Sequence, residues 1–328
     1  MLKYTKNKIL IIGYGSIGKK HFKNIKKLLP KSDIAVLRTT QKLKVDKNIK
    51  FYFKKKDAIK FNPSKVIICT SANKHWFYFK KFKNLKCSFF IEKPLVTKIS
   101  DLKYFKDYKK KIFVGYFLRI HPGILYLKKL LKAKLHKVRH VNFEVGYNLK
   151  KWRDKRDYKS TVSARKKLGG GALFELSHEL DLATWLFDYP TEVLCIKNKI
   201  SNLKINTDDL SIIYLNSPRK KLSITIHLDM IQNHYTRKVK IILDDENICF
   251  DFKKNLIEHF RNNKIKKVKF FTNFNTLLKE YLNLFLLYPK GKKINYKVSD
   301  LNSSIKLSKL FDYLEKSNNK KKILKVKL

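Results

Sequence analysis

The chain has 328 residues with a globular share of apolar and aromatic side chains, enough for two domains with cores of their own and too apolar for a disordered protein. Lys and Arg exceed Asp and Glu by 76 − 26 = 50, a balance that ordinarily points to nucleic acid or a membrane surface. The excess is almost all Lys, spread from Lys3 to Lys327 without a basic block, beside abundant Ile, Asn, Phe and Tyr and scarce Ala, Gly and Pro, so it reads as compositional drift on a solvated surface. Cys69, Cys87, Cys195 and Cys249 are far apart with no C-x-x-C pair, which argues against a zinc site and a disulfide framework. The first apolar run is too short for a signal peptide, and no run of about 18 apolar residues exists. The expectation is a cytoplasmic protein with no metal, no membrane segment and no nucleic-acid partner.

Ile9 to Ile12 is a β-branched and leucine run, the mark of a strand buried on both faces, and it stops at Gly13. Gly13, Gly15 and Gly18 follow in G-x-G-x-x-G order, after which Ile17, Phe22, Ile25, Leu28 and Leu29 recur at helical spacing up to Pro30. A strand, a glycine loop and a helix in that order bind dinucleotides: the glycines admit the pyrophosphate and the helix N-terminus offers N–H groups and partial positive charge. Gly13, Tyr14, Gly15, Ser16, Ile17 and Gly18 are therefore candidate cofactor contacts; a glycine turn with no ligand is the bland alternative. The second strand is Ile34 to Leu37, and NAD would call for an acidic residue on the ribose roughly 20 residues past the glycines. Arg38, Thr39 and Thr40 stand there instead, a guanidinium and two hydroxyls suited to a phosphate, which predicts NADP(H) in preference to NAD(H), against the alternative of a surface arginine.

Val66 to Cys69 reads as a third buried strand ending in Thr70 and Ser71, with His75 in the opening of the next helix. Thr70, Ser71 and His75 are candidate cofactor contacts, and the first two would serve equally as helix N-caps. Ser88 to Ile91 gives a fourth strand ending in Glu92, Lys93 and Pro94, which puts Glu92 and Lys93 at a strand tip, with Pro94 free to be cis. Ile112 to Leu118 is a fifth strand running into Arg119 and His121. Strands alternating with helices predict a doubly wound parallel sheet, and that grammar stops near residue 118. The division expected is 1–118 for dinucleotide binding and 119–328 for substrate binding and oligomerisation.

Beyond 118 come a helix at Leu125–Leu131, a strand at Val138–Gly146 and a basic loop with Trp152, Arg153, Arg156 and Arg165. A long helix is expected over Ala172–Phe187, then strands at Glu192–Lys197, Leu210–Leu215, Leu222–Leu228, Val239–Leu243 and Ile248–Phe252, with a hairpin turn at Asp244–Asn247. Strands without intervening helices predict an α+β domain with a largely antiparallel open sheet, closed by helices at Thr276–Leu287 and Val298–Leu314. Ten glycines serve the chain, and Gly169, Gly170 and Gly171 fall together before the long helix, which demands either a close approach to the main chain or unusual dihedrals. On that helix Glu175, His178 and Asp181 lie three apart and would share a face, a histidine beside carboxylates; a polar interdomain contact is the alternative.

GYGSIGKKH at the start, EKP at 92–94, GYFLRIHP at 115–122 and GGGALFELSHELDLATWLF at 169–187 together resemble the Gfo/Idh/MocA oxidoreductases, in order and over nearly the full chain. The stretch WRDKRDYKSTVSARKKLGGGALFELSHELD further resembles a subgroup associated with sialic- or legionaminic-type sugar biosynthesis. By that resemblance Lys93 matches the active-site lysine, His178 the catalytic histidine and Asp181 the acid of H-x-x-D; the family places an Asp four residues before the histidine, whereas this chain has Glu175 three before it. The resemblance implies hydride transfer between a nicotinamide and a sugar or sugar-derived alcohol or ketone, with Lys93 stabilising the substrate oxygen and His178 taking its proton. Arg119, His121, Trp152, Arg153, Arg156 and Arg165 become candidate substrate contacts, and a homo-oligomer is expected from the resemblance and the open sheet. The rival readings are a non-catalytic dinucleotide-binding sensor of the same fold and a nucleic-acid-binding protein.

Overall fold

The computed structural model describes residues 7–38, 48–106, 108, 111–152, 156–288 and 297–328. Its contacts divide the chain into two units, 1–117 with 274–305 and 118–273 with 306–328. In the first unit β1 (Lys8–Ile12) leads through α1 (Ser16–Leu28) to β2 (Asp33–Leu37), and β3 (Lys50–Tyr52) and α2 (Lys55–Lys60) follow. Neither of the last two is expected from sequence, since KFY and KKDAIK are too short and too lysine-rich to show a period. Then come β4 (Lys65–Ile68), α3 (His75–Phe82), β5 (Ser88–Ile91) and β6 (Ile112–Val114). The fifth strand predicted to Leu118 ends four residues early, because Phe117–Ile120 winds into a 3₁₀ turn.

All neighbours in this sheet are parallel, in the order β3-β2-β1-β4-β5-β6. The run Ile9–Ile12 and the runs Val66–Ile68 and Phe89–Ile91 are wholly buried, as strands covered by helices on both faces must be. The chain winds outward from β1 in one direction and from β4 in the other, so the order reverses between them. In such a sheet a crevice opens at the carboxyl ends of the two strands that flank the reversal.

The second unit begins with α4 (Pro122–Lys134) and β7 (Val138–Gly146). The helix expected over 172–187 is two helices, α5 (Ala172–Glu175) and α6 (His178–Phe187), because Leu176 leaves the helical region at φ −100°, ψ 32°. Then follow β8 (Glu192–Asn198), β9 (Leu210–Ser217), β10 (Leu222–Asp229), β11 (Thr236–Leu243), β12 (Asn247–Asp251), β13 (Leu256–Arg261) and β14 (Lys264–Lys269). With β15 (Leu324–Lys325) they form a nine-stranded sheet, antiparallel except for the central β7–β10 pair, so the mostly antiparallel second sheet is as expected. β11 and β12 pair across the predicted turn. The strands β13 and β14 escape the sequence reading because β14 is KIKKVK and almost wholly exposed, with no buried face to set an alternation. Their joint had a signal all the same: Asn262 and Asn263 both take positive φ, 48° and 58°, as a two-residue hairpin turn requires.

α7 (Phe274–Leu286) and the first residues of α8 (Leu301–Lys320) return to the first unit, where the Tyr281 hydroxyl donates to Val114 O and accepts from Ser299 N–H. No described helix is long and apolar enough to cross a membrane.

Candidate active site

Three glycines shape the turn after β1 for different reasons. Gly13 holds φ +95°, and a Cβ there would stand 2.8 Å from Cys69 O; at Gly18 it would overlap the Gly13 carbonyl. Among the described residues nothing lies within 4 Å of such a Cβ at Gly15, so its backbone is open on that side. α1 begins immediately after it, with no side chain among the described residues capping its first N–H groups and no acidic residue in its first turn. Uncapped donors, the positive end of a 13-residue helix and an open glycine backbone fit the pyrophosphate of a dinucleotide. Beside the loop, Tyr14 packs edge-on against Phe22 and Phe51, and Lys19 lies over its ring at 5.8 Å. Ser16 is exposed and Ile17 half-buried. Arg38, at the end of β2, stacks over Phe51 at 5.3 Å and donates its backbone N–H to Tyr52 O. Thr39 and Thr40 lie outside the described residues.

Parallel strands release their carboxyl ends along one edge, so Gly13 after β1, Thr70 after β4 and Lys93 after β5 emerge on the same edge of the sheet. The Thr70 hydroxyl donates to Ser71 O and the Ser71 hydroxyl to Asn73 Oδ1; Ser71 stands at the N-cap position without its side chain capping the helix. His75 is buried with Nδ1 2.9 Å from Pro94 O and Nε2 3.1 Å from Thr70 O, and burial lowers its pKa. Glu92 donates its backbone N–H to Ile68 O and accepts from His21 Nε2 at 2.6 Å. Lys93 is half-buried, and its bond to Pro94 is cis. Burial and the Glu92 carboxylate push the Cys69 thiol well up, which leaves it inert.

In the second unit the three-glycine turn serves this chain's own packing. Gly169 and Gly171 hold φ +84° and +108°, and a Cβ at Gly170 would overlap Val162 O. A Cβ at Gly171 would overlap Asp208 Oδ1, and Asp208 is there to accept the Leu173 N–H at 2.9 Å, capping α5. Glu175 accepts from Ser163 Oγ at 2.9 Å. With the helix broken at 176, the shared face expected for Glu175, His178 and Asp181 holds only for the last two, and His178 is buried at the first position of α6.

Two carboxylates in the first turn of α6 are each met by an arginine. Asp181 takes Arg119 Nε at 2.9 Å and Nη2 at 2.6 Å, with side chains 1% and 4% exposed. Burial pushes the Asp181 carboxyl up, and the bidentate guanidinium pulls it back toward the ionised form. Glu179 meets Arg237 Nε of β11 at 2.8 Å, also buried. The other substrate candidates are scattered. His121 accepts the Gly123 N–H on Nδ1, capping α4, and its Nε2–H points to Asn255 Oδ1 at 3.1 Å. Trp152 donates to Tyr147 O, Arg156 and Arg165 are exposed, and Arg153 lies outside the described residues. Among the described residues no group of three His, Cys, Asp or Glu is placed to hold a metal ion. Sequence reasoning passed over His21, Asp208 and Arg237; only the His21 position, three residues past the last glycine of the loop, carried any signal.

The stretch 7–116 matches the family model described as GFO_IDH_MocA, oxidoreductase family, NAD-binding Rossmann fold. Residues 7–116 belong to the Gfo/Idh/MocA oxidoreductases. The whole chain has the fold of several solved dehydrogenases. It superposes on the WlbA dehydrogenase of Bordetella pertussis, solved with NADH and UDP-GlcNAcA, with a TM-score of 0.79 at 16% identity over 98% of this chain and 99% of that one. The UDP-N-acetylglucosamine 3-dehydrogenase GnnA of Acidithiobacillus ferrooxidans gives 0.71 at 14% over 94% and 97%. The myo-inositol 2-dehydrogenase of Lactobacillus plantarum gives 0.75 at 14% over 98% and 100%. No curated protein sequence matches the chain. The family match thus covers the stretch that carries the parallel sheet and its glycine loop, and that loop fits an NAD-type cofactor.

Proposed function

We propose that the protein is an NADP-preferring oxidoreductase that interconverts an alcohol and a ketone on a sugar or sugar derivative. The observation that carries this reading is the carboxyl edge of the parallel sheet, where the open Gly15 backbone and uncapped α1 emerge on the same side as Lys93. The bound nicotinamide would exchange hydride with the substrate carbon. Lys93, a cation, hydrogen-bonds the substrate oxygen and stabilises negative charge as it develops there. His178 takes up the hydroxyl proton on oxidation and returns it on reduction. Arg119 and Arg237 hold the α6 carboxylates, and so fix the helix start that carries His178.

Arg38 supports NADP(H), because a guanidinium held over Phe51 at the end of β2 suits a ribose phosphate and no acidic residue takes its place. The sugar class follows by analogy with the WlbA, GnnA and myo-inositol dehydrogenases. A homo-oligomer is part of the proposal, supported by the cross-strand pair Ile196 and Ile212, 41% and 36% exposed on the second sheet. So is a cytoplasmic location, since four thiols without a disulfide suit a reducing compartment.

NADPH absorbance in the presence of a panel of acidic and nucleotide sugars tests the activity. Lys93→Ala and His178→Ala are expected to lose turnover by about 100-fold or more while keeping NADPH affinity within about threefold. NADPH binding without turnover on any sugar would instead make the protein a dinucleotide-binding sensor.

A further inference from the structure

The sheet topology decides which helices can reach the Glu92-Lys93-Pro94 segment. β1 leads to β2 in one direction and β4 leads to β5 in the other, so right-handed crossovers put α1 and α3 on opposite faces of the sheet. The side chains of β5 confirm it by alternation: Phe90 packs on His21 of α1, at 5.2 Å, while Phe89 packs on Phe79 of α3, at 5.1 Å. Glu92, two residues past Phe90, points to the α1 face.

On that face His21 is fully buried and donates Nε2–H to Glu92 Oε1 at 2.6 Å. The other carboxylate oxygen fits because residue 115 is glycine: a Cβ there would stand 2.9 Å from Glu92 Oε2. On the α3 face His75 is buried, with Nδ1 2.9 Å from Pro94 O and Nε2 3.1 Å from Thr70 O. A neutral imidazole has one N–H, so it binds one of these carbonyls and turns a lone pair on the other; a protonated ring satisfies both. With its proton on Nδ1, the shorter of the two contacts, His75 donates to Pro94 O and ties the loop after β5 to the start of α3. The two histidines thus grip the residues on either side of Lys93, one through a side chain and one through a main-chain carbonyl.

We propose that His21 and His75 are positioning residues that fix Lys93 on the carboxyl edge of the first unit, His21 through Glu92 and His75 through the Pro94 carbonyl. The role assigned to Lys93 rests on the proposed function; the clamp itself is a property of the loop. Neither histidine is free to serve the cofactor directly, since the ring nitrogens of His75 face backbone carbonyls and His21 lies wholly inside. Sites of chemistry tolerate little looseness, because about 1 Å of misplacement can cost about 100-fold in rate.

The test reads the lysine itself and needs no substrate. Trace acetic anhydride labels amines in the folded full-length protein, and mass spectrometry of the peptide containing Lys93 gives its labelling rate relative to surface lysines of the same chain. Losing one buried hydrogen bond raises the open population of a loop about fivefold, so His21→Leu and His75→Leu are expected to raise Lys93 labelling by about that factor. His21→Gln and His75→Asn restore an amide donor near Nε2 and Nδ1 and are expected to return the rate to within about twofold of wild type. Gly115→Ala removes no ring and opens no cavity, yet crowds the Glu92 carboxylate; it covers the case in which a leucine variant fails to fold, and is expected to raise labelling too. Unchanged Lys93 labelling in folded His75→Leu and Gly115→Ala overturns the clamp, as does a raised rate that the amide variants leave raised. Those results are distinct from failure of the functional reading, which shows as full turnover in Lys93→Ala whatever the labelling does.

Discussion

His121 carries a pH signature that belongs to a single side chain. Burial lowers its pKa from 6.5 to about 4, and its Nδ1 lone pair is committed to the Gly123 N–H, so protonation breaks the cap on α4. The folded value lies below the unfolded one, so the stabilisation is complete above pH 6.5 and is lost as pH falls toward about 4. The loss approaches about 1.4 kcal/mol per pH unit in that window. His121→Asn keeps an acceptor for the cap and has no proton to gain; denaturant unfolding between pH 7 and pH 4 is expected to show a shallower acid limb in the variant, and parallel limbs would refute the assignment. Arg38 makes a second prediction at this scale. Arg38→Ala is expected to weaken NADPH binding by about tenfold and to leave NADH within about twofold, as loss of one charge-assisted contact would. Tighter NADH than NADPH binding by the wild-type protein would remove the NADP preference altogether.

At the scale of elements, the break between α5 and α6 shows tertiary contacts overriding helical pattern. The sequence from Ala172 to Phe187 has no proline or internal glycine, so its periodicity reads as one helix. The two halves are held by different partners: Asp208 and Ser163 on α5, Arg119 and Arg237 on α6. The Arg119–Asp181 pair is almost wholly buried, and truncating one partner strands the other's charge. Arg119→Met alone is expected to cost about 3 to 5 kcal/mol in denaturant unfolding, whereas Arg119→Met with Asp181→Leu costs far less because no charge is left behind. An additive double variant would mean the pair is weakly coupled.

At the scale of the whole molecule the net charge acts beyond any single contact. With a formal excess of 50 positive charges, self-repulsion opposes the compact state at low salt. Raising the ionic strength from about 0.01 to about 0.15 M shortens the screening length from about 30 to about 8 Å and is expected to raise the melting temperature by several degrees. A melting temperature that falls with salt would show that surface ion pairs such as Arg139–Asp244 outweigh the repulsion.

The sequence by itself determined the parallel sheet, the glycine loop with its helix, the strand tip bearing Glu92 and Lys93, and the mainly antiparallel second sheet, because each is written in local periods and in positions that only glycine or proline can fill. Only the tertiary structure decided the rest. It broke the 172–187 helix, paired Arg119 with Asp181 and Arg237 with Glu179, filled the space at Gly171 with Asp208, and returned residues 274–305 to the first unit. The physical reason is range. A period of 2 or 3.6 is set by neighbours a few residues apart, whereas a buried carboxylate finds its partner 58 or 62 residues away, and nothing in either local stretch marks which arginine that will be.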